Sequence, residues 1–231
     1  MDIGSDLLFD FKNVTLDRHD TRILSDINIT VNETRIAIIG ANGSGKSSFV
    51  RMLNGLLLPT EGQVEILGLD VQTSVKEIRR QVGFVFQNPD NQIVYPIVSE
   101  DIELGLKGLN IPKAERRTKV DEVLKRFDLL DLKSRSIHAL SGGEKQMIAL
   151  SSVLVMEPKI IVMDEPTTLL DLRNKNRVTS IIETLAQSIV LVTHDLDLIS
   201  NFDRVIVFDD GKIVADDTPK QAVAWYKKQM S

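Results

Sequence analysis

Residues 35–48 read RIAIIGANGSGKSS, and this stretch decides the fold. The apolar run at 35–39 is typical of a buried strand in a parallel sheet. The next eight residues, Gly40 to Ser47, match the pattern G-x-x-x-x-G-K-[ST] in full. In such a loop, backbone N–H groups and the following helix surround a phosphate, the lysine reaches the β and γ oxygens, and the serine ligates Mg²⁺. The stretch predicts a nucleotide-binding α/β domain and leaves kinases, GTPases, helicases and transporters open.

The sequence around this loop alternates between strand and helix patterns. Further apolar runs typical of strands lie at 82–86, 160–164, 189–193 and 204–208. Between 88 and 155 the pattern is helical, with one apolar face formed by Val120, Val123, Leu124 and Phe127. The alternation predicts a parallel sheet with helices on its faces. We therefore expect one domain, with a nucleotide-binding core at 1–87 and 156–231 and an inserted helical subdomain at 88–155.

The composition excludes several classes of protein. The 231 residues include 33 acidic and 28 basic side chains, a net charge of −5, which argues against a nucleic-acid-binding surface. No apolar run approaches the roughly 18 residues that a membrane span requires. The absence of cysteine excludes disulfides and thiolate metal sites. The opening residues, MDIGSDLLFD, lack the pattern of a secretory signal, so we expect synthesis to end in the cytosol.

Two carboxylates end the apolar run at 160–165, which reads IIVMDE. Because the carboxyl ends of parallel strands are where α/β sheets bind ligands, Asp164 and Glu165 are expected at that edge. There Asp164 would hold Mg²⁺, and Glu165 would orient and deprotonate an attacking water. A strand end with two solvated acids is the alternative interpretation.

A second anion-binding feature occurs at 140–146, which reads LSGGEKQ. A serine followed by two glycines at a helix start offers a hydroxyl and bare N–H groups to an anion. Since the chain already has one phosphate loop, we interpret Ser141 as serving a nucleotide on another protomer. A simple helix cap with flexible glycines is the alternative.

In this order and spacing, the motifs resemble those of the nucleotide-binding subunits of ABC transporters. Gln87 follows Lys46 by 41 residues, Ser141 precedes Asp164 by 23, and His194 follows Asp164 by 30. The resemblance covers nearly the whole chain. It implies a P-loop NTPase core with a mixed sheet, an N-terminal antiparallel β region and an inserted α-helical subdomain. It also implies ATP and Mg²⁺ as cofactors, and an ATPase whose hydrolysis is coupled to transmembrane transport in a head-to-tail dimer.

The resemblance implies a role for each motif residue. Gln87 is similar to the hinge glutamine that contacts Mg²⁺ and the attacking water, and His194 to the switch histidine that bonds the γ-phosphate. The implied catalytic residues are Glu165, His194 and Gln87, and the implied metal ligands are Ser47, Gln87 and Asp164. The implied nucleotide contacts are Asn42, Gly43, Ser44, Gly45, Lys46, Ser47, Ser48, Arg18, Ser141, Gly142, Gly143 and Asp171.

Two positions depart from the family pattern. Arg18 stands where members usually place an aromatic ring against adenine, and its guanidinium can stack on a base instead. ATP binding is expected to survive this change, while the purine preference stays open. The loop that crosses to the opposite subunit reads Thr-Leu-Leu-Asp at 168–171, where a small residue commonly precedes the second leucine.

The segment FQNPDNQI at 86–93, with the helix start that follows it at 96–102, most resembles the ATPases of energy-coupling-factor importers of vitamins and transition-metal ions. The implied partners are a transmembrane coupling protein, a substrate-binding membrane protein, and a second ATPase subunit, identical or paralogous, at the cytoplasmic side of the cell membrane. A groove between core and helical arm would receive a helix of the coupling protein, and we expect Glu100, Asp101 and Glu103 to make its wall negative. The short C-terminus and the segment QIVYP at 92–96 favour a biotin-type module, but the solute itself stays open.

Three other functions compete with this interpretation. A soluble ABC ATPase of DNA repair or translation usually carries long coiled coils or a duplicated module, and neither fits in 231 residues. The acidic charge also argues against a phosphate-backbone partner. A P-loop kinase would have no use for Ser141 to Gly143. The ATPase of an ordinary ABC transporter shares every motif and stays open.

Overall fold

Two β-sheets organise the part of the chain that the computed structural model describes, residues 7–109 and 111–229. The strands are β1 (Phe9–Arg18), β2 (Thr21–Val31), β3 (Arg35–Gly40), β4 (Glu61–Ile66), β5 (Leu69–Asp70), β6 (Val82–Val85), β7 (Ile160–Asp164), β8 (Ser188–Val192), β9 (Arg204–Asp209) and β10 (Lys212–Asp217). The helices are α1 (Lys46–Met52), α2 (Val75–Gln81), α3 (Val98–Lys107), α4 (Lys113–Arg126), α5 (Gly142–Leu154), α6 (Leu172–Thr184) and α7 (Pro219–Gln229).

The central sheet has the strand order β10-β9-β3-β8-β7-β6. The pairs from β9 through β6 are parallel, and β10 adds an antiparallel edge to β9. The five predicted apolar runs are all strands of this sheet, and their side chains are almost entirely buried. The prediction of a mixed α/β sheet is therefore confirmed. The order also places the ends of β3, β7 and β8 side by side.

A second, antiparallel sheet has the order β2-β1-β4-β5 and covers the first helix. Phe49 of α1 packs between the two sheets, with its ring centroid 4.5 Å from that of Phe11 on β1 and 5.0 Å from that of Phe208 on β9. Burying such large rings contributes a few kcal/mol each to folding. The helix that follows the phosphate loop is therefore fixed on both sides, and the predicted N-terminal antiparallel region is confirmed.

The helices of the segment between β6 and β7 pack on one another and on the sheet edge. The predicted apolar face of α4 is buried, including Val120 and Leu124, and α4 begins at Lys113, just after Pro112. A side chain at Gly83 of β6 would lie 2.2 Å from Val153 of α5. The close approach that this glycine permits joins the helical segment to the core.

The prediction that Asp101 of α3 adds negative charge to the wall of a docking groove is wrong. Its side chain is only 4% exposed. Oδ1 accepts hydrogen bonds from the backbone N–H groups of Val94 and Tyr95, at 2.7 and 3.0 Å. Glu103 is paired with Arg116 at 2.9 Å. Because the preceding turn has unpaired backbone donors near the helix start, the carboxylate of Asp101 turns inward to satisfy them.

Ile97 occupies the cap position of α3, where no side chain caps the helix. None of the helices in the two described ranges is long and apolar enough to cross a membrane.

Candidate nucleotide-binding and hydrolysis site

The phosphate loop joins the carboxyl end of β3 to the first turn of α1, and its glycines are sterically required. Gly40 has φ 147°, and a Cβ there would lie 2.1 Å from the carbonyl oxygen of Phe208. Gly45, at the cap position of α1, has φ 101°, a conformation that side chains disfavour. These two residues let the loop turn back over the helix start, where free N–H groups point to the cavity.

A cavity of about 590 Å³ opens over this loop. Its size is within the range of small-molecule sites. The lining residues are Ile23, Asn42, Gly43, Ser44, Gly45, Lys46, Ser47, Ser48, Gln87, Glu165, Thr168 and His194. The fold therefore gathers the phosphate loop, the hinge glutamine, the second carboxylate and the switch histidine in one place, although they come from four separate parts of the sequence.

Lys46 is buried at the base of this cavity, only 5% exposed. Its Nζ donates hydrogen bonds to the carbonyl oxygens of Gly40 at 2.9 Å and Ala41 at 2.7 Å. Burial lowers the pKa of the ammonium, and the nearby carboxylates of Glu165 and Asp164 oppose that shift. An anionic phosphate would compensate the desolvated charge better than two neutral carbonyls do.

Asp164 lies at the end of β7, with 2% exposure. Its Oδ1 accepts a hydrogen bond from Ser47 Oγ at 2.9 Å, and its Oδ2 lies 3.6 Å from Nη2 of Arg51. Burial raises the pKa of the carboxyl, and the bond from Ser47 lowers it again. A buried carboxylate with a raised pKa is a candidate ligand for a cation, which would favour its ionised form.

The donor set of Ser47 and Asp164 fits Mg²⁺, because this ion takes hard oxygen ligands and completes its shell with phosphate oxygens and water. In the described residues no group of three or more His, Cys, Asp or Glu side chains could hold a metal ion. Ser47 and Asp164 supply two of the oxygen ligands that such an ion would need.

Glu165 follows directly, in a left-handed backbone conformation with φ 51°. Its N–H donates to the carbonyl of Val192 at 3.0 Å, which holds the residue against β8. Oε2 accepts hydrogen bonds from Thr168 Oγ1 at 2.9 Å and from Gln87 Nε2 at 3.3 Å. Oε1 lies 3.0 Å from His194 Nε2. Three side chains from three segments thus converge on one carboxylate, which is only 11% exposed.

Sequence reasoning missed two residues of this cavity. The motif pattern indicates Thr168 only as part of the crossing loop, although its position three residues after Glu165 is a spacing at which a hydroxyl reaches back. Ile23 on β2 lines the cavity, whereas Arg18, the predicted adenine contact, does not. Arg18 is exposed at the tip of the β1–β2 hairpin, next to a turn whose central residues both have positive φ.

The signature residues lie elsewhere. Ser141 caps α5, and its Oγ accepts from the N–H of Glu144 at 3.3 Å while Glu144 Oε2 accepts from the N–H of Ser141 at 2.8 Å. Asp171 caps α6 by accepting from the N–H of Asn174 at 2.8 Å. Both residues line a second cavity, of about 740 Å³. The predicted nucleotide contacts are thus divided between the first cavity, with the phosphate loop, and the second cavity, with Ser141 and Asp171.

The two glycines after Ser141 differ in their surroundings. A Cβ at Gly142 would meet no atom within 4 Å, so this position faces open space. A Cβ at Gly143 would lie 2.3 Å from the side chain of Asn174, so this glycine permits contact between the starts of α5 and α6. The exposed half of the motif is therefore Ser141 with Gly142.

A glycine-rich loop at the end of a parallel strand, with a lysine, a serine and two carboxylates around it, defines a P-loop nucleotide hydrolase. A sequence profile of the family described as ABC transporter matches residues 24–168. The chain belongs to this family and is an ABC-type ATPase, as the order of its motifs predicted.

Individual relatives agree with this. A Bartonella quintana protein named only as an ABC transporter ATP-binding protein is 55% identical over 96% of this chain and 98% of its own length. The biotin transport ATP-binding protein BioM of Rhizobium etli is 45% identical over 89% of this chain and 91% of its own. Among solved structures, cbiO1 of Clostridium perfringens, part of the transporter complex cbiONQ, has a TM-score of 0.83 and 30% identity, covering 97% of this chain and 94% of that one. The cassette MJ0796, a dimer bound to ADP and Pi, has a TM-score of 0.83 and 29% identity, covering 92% and 99%.

Proposed function

We propose that this chain is the ATP-hydrolysing subunit of an energy-coupling-factor importer, which takes up a micronutrient such as biotin, another vitamin, or a cobalt or nickel ion. The observation that carries the hydrolytic part is the Glu165 carboxylate, held by three side chains over the same cavity as Lys46 and the Ser47–Asp164 pair. The importer class is supported by relatives named for biotin transport and energy coupling, and by the likeness to cbiO1.

In the proposed reaction, residues 42–48 surround the ATP phosphates with backbone N–H groups and Lys46 neutralises the β and γ oxygens. Ser47 and Asp164, with Gln87 as a third contact, would hold Mg²⁺, whose chemistry here is to neutralise charge on the phosphate oxygens. Glu165 accepts the proton of the attacking water, and His194 donates a hydrogen bond to the γ-phosphate. Thr168 keeps the carboxylate of Glu165 in the orientation that the water requires.

A head-to-tail pair of chains completes each site in this proposal. The first cavity contains the phosphate loop, whereas Ser141, at the start of α5 with Gly142 and Gly143, lines the second cavity. In the proposed pair, two copies related by a twofold axis bring the second cavity of each against the nucleotide of the other, so the arrangement occurs twice. Asp171 also lines the second cavity and would contact the second subunit, identical or paralogous. The dimeric cassette MJ0796 supports this arrangement.

The proposed membrane partner is a transmembrane coupling protein, which works with a substrate-binding membrane protein. We place its docking helix in the groove between the core at 1–87 and 156–231 and the inserted helices at 88–155. A cavity of about 250 Å³ marks this groove, and its lining includes Leu104 and Met156. Beside it Val94 is 71% exposed, so an apolar side chain lies open to a docking helix. The chain would then lie at the cytoplasmic side of the membrane as a peripheral subunit.

This docking is tested with Val94→Asp in a tagged chain expressed in its own cell. A charge in an apolar contact should abolish copurification of a polytopic membrane protein and leave ATP hydrolysis by the purified chain unchanged. The matched control is Val214→Asp on β10, at a valine that is 39% exposed and distant from the groove in the fold. Undiminished recovery of the membrane protein with Val94→Asp would place docking elsewhere. Recovery of nucleic acid instead would favour a soluble ABC ATPase.

A further inference from the structure

The segment that follows Gln87 is short and internally braced. We call residues 88–93 the hinge turn. Asn88 Oδ1 accepts a hydrogen bond from the N–H of Asp90 at 2.9 Å, and Pro89–Asn91 form a 3-10 helix. The proline fixes one backbone angle of this helix. Such a turn moves as a unit, so a displacement at one of its ends is carried to the other.

Gln92 ties this turn to two different elements. Its Oε1 accepts a hydrogen bond from the N–H of Phe86 at 3.2 Å, directly before Gln87. Its Nε2 donates to the carbonyl of Ala149, in the middle of α5, at 2.6 Å. One partner is a donor and the other an acceptor, and the amide of Gln92 satisfies both with its oxygen and its nitrogen. The single side chain therefore bridges the end of β6 and α5.

A second contact joins the same two elements. Lys145 Nζ lies 2.8 Å from Asp90 Oδ1. Lys145 and Ala149 are one helical turn apart, so they share a face of α5. The ion pair is partly exposed and contributes little by itself. It nevertheless fixes the turn at a second point, one turn away from Ser141 at the start of the helix.

The bond to Ala149 is not required to complete α5. By helix geometry this carbonyl already faces the N–H of Val153, four residues later. A helix carbonyl has a second lone pair, and Gln92 uses it. The hydrogen bond from Gln92 is therefore not part of the helical hydrogen-bond ladder. Its effect is to fix the position of α5 relative to β6.

We propose that Gln92 is a positioning residue that couples Gln87 to α5, so that a change at Gln87 on nucleotide binding displaces Ser141. The inference rests on the proposed function only in taking ATP binding at the first cavity as the event that moves Gln87. Gln87 is bonded to Glu165 at one side, and the backbone beside it is bonded to Gln92 at the other. Because α5 is a rigid helix, a displacement of its middle reaches its capped start.

The test measures the position of the helical segment directly. The chain has no cysteine, so Lys76→Cys on α2 and Glu122→Cys on α4, both at exposed positions, accept two spin labels without background. Labelled chain is mixed with excess unlabelled chain, so that only distances within one copy are read. The label-to-label distance is recorded with and without Mg-ATP in a Glu165→Gln background, which retains unhydrolysed nucleotide.

Two substitutions of Gln92 test whether its hydrogen bonds couple Gln87 to α5. Gln92→Leu removes both hydrogen bonds. Gln92→Glu keeps the acceptor for the Phe86 N–H but places an oxygen against the Ala149 carbonyl. Gln72→Leu, at an exposed glutamine before α2, is the matched control. We expect Mg-ATP to shift the distance in the parent and in the control, and the shift to be lost in both Gln92 variants although they bind ATP with parental affinity.

A full ATP-dependent shift in Gln92→Leu and Gln92→Glu would overturn the inference. If the leucine variant fails to fold, the isosteric glutamate variant decides alone. A parent that binds ATP without any shift would also overturn it, while hydrolysis by the chain with Glu165 intact would leave the proposed function standing. A parent that binds no ATP would refute the proposed function itself.

Discussion

Glu165→Gln separates nucleotide binding from hydrolysis, because the substitution keeps the shape of the side chain and removes its proton acceptor. The amide oxygen can still accept from Thr168 Oγ1, now at 2.9 Å, and the amide nitrogen can face His194 Nε2, now 3.0 Å from the carboxylate. The packing around residue 165 should therefore persist. What is lost is general-base catalysis, worth about 10²- to 10⁴-fold in rate, or roughly 3 to 5 kcal/mol of barrier.

The assay is single-turnover release of phosphate from Mg-ATP, alongside equilibrium binding of ATP. We expect hydrolysis to fall by that factor, with ATP affinity near the parental value because the hydrogen bonds of Glu165 are with Gln87, Thr168 and Val192 and not with the phosphate loop. Glu183→Gln, an exposed carboxylate on α6, is the matched control and should hydrolyse ATP normally. Hydrolysis by Glu165→Gln at the parental rate would refute the assignment of the base. Loss of ATP binding would show instead that the carboxylate holds the site together.

Four further substitutions test the first cavity and the signature residues. Thr168→Val removes the hydroxyl bonded to Glu165 and should lower kcat about tenfold, as expected for a hydrogen bond to a charged group, while KM for ATP stays constant; a change in KM alone would contradict this. Asp164→Asn should raise the melting temperature at pH 7 by roughly 2–4 °C, for about 1 kcal/mol, because burial raises the pKa of this carboxyl and its ionised form destabilises the native state. The stability that protonated Asp164 contributes is lost as pH rises through the raised pKa. The gain in melting temperature from Asp164→Asn should therefore shrink as pH falls through that pKa. If calorimetry gives the same difference in melting temperature at every pH, desolvation of Asp164 is not its cause. Lys46→Ala and Gly142→Asp should each abolish hydrolysis, and a mixture of the two chains should recover activity through the one intact composite site of each mixed pair. Gly142 faces open space, so the aspartate should not disturb the fold of its own chain. A fully active Gly142→Asp chain would therefore contradict the role of this residue across the subunit interface.

The central sheet and the phosphate loop were predictable because their signals are local. Apolar runs of five residues ending in glycine or carboxylate identify buried strands and their functional ends without any knowledge of tertiary contacts. The contacts of Gln92 and Asp101 were not predictable in this way. Each depends on which backbone donor lies nearby after the helical segment packs on β6, and no spacing in the sequence encodes that.

The position of Arg18 outside the lining of the first cavity was not predictable for a different reason. Counting back from Lys46 gives a distance along the chain, but β1 pairs with β2 through register shifts between Phe11 and Val14, and again on both sides of Leu16. Each irregularity bends the strand and locally disrupts the ladder. Arg18 consequently lies at the exposed hairpin tip, and Ile23 lines the cavity.

The hydrogen bonds of Glu165 explain how nucleotide binding in the first cavity can change the contacts of the residues around it. In the structure one carboxylate faces Gln87, Thr168 and His194. A γ-phosphate entering beside Lys46 brings new acceptor oxygens, and charge-assisted bonds to phosphate are strong. His194 and Gln87 would then bond to the nucleotide and its surroundings, and only Thr168, on the loop that carries Glu165, would keep its contact. The same exchange that frees the carboxylate to act on water therefore releases Gln87. Catalytic readiness and the signal to α5 thus arise from a single competition for donors, and a substitution at Gln92 should interrupt that signal without removing the base.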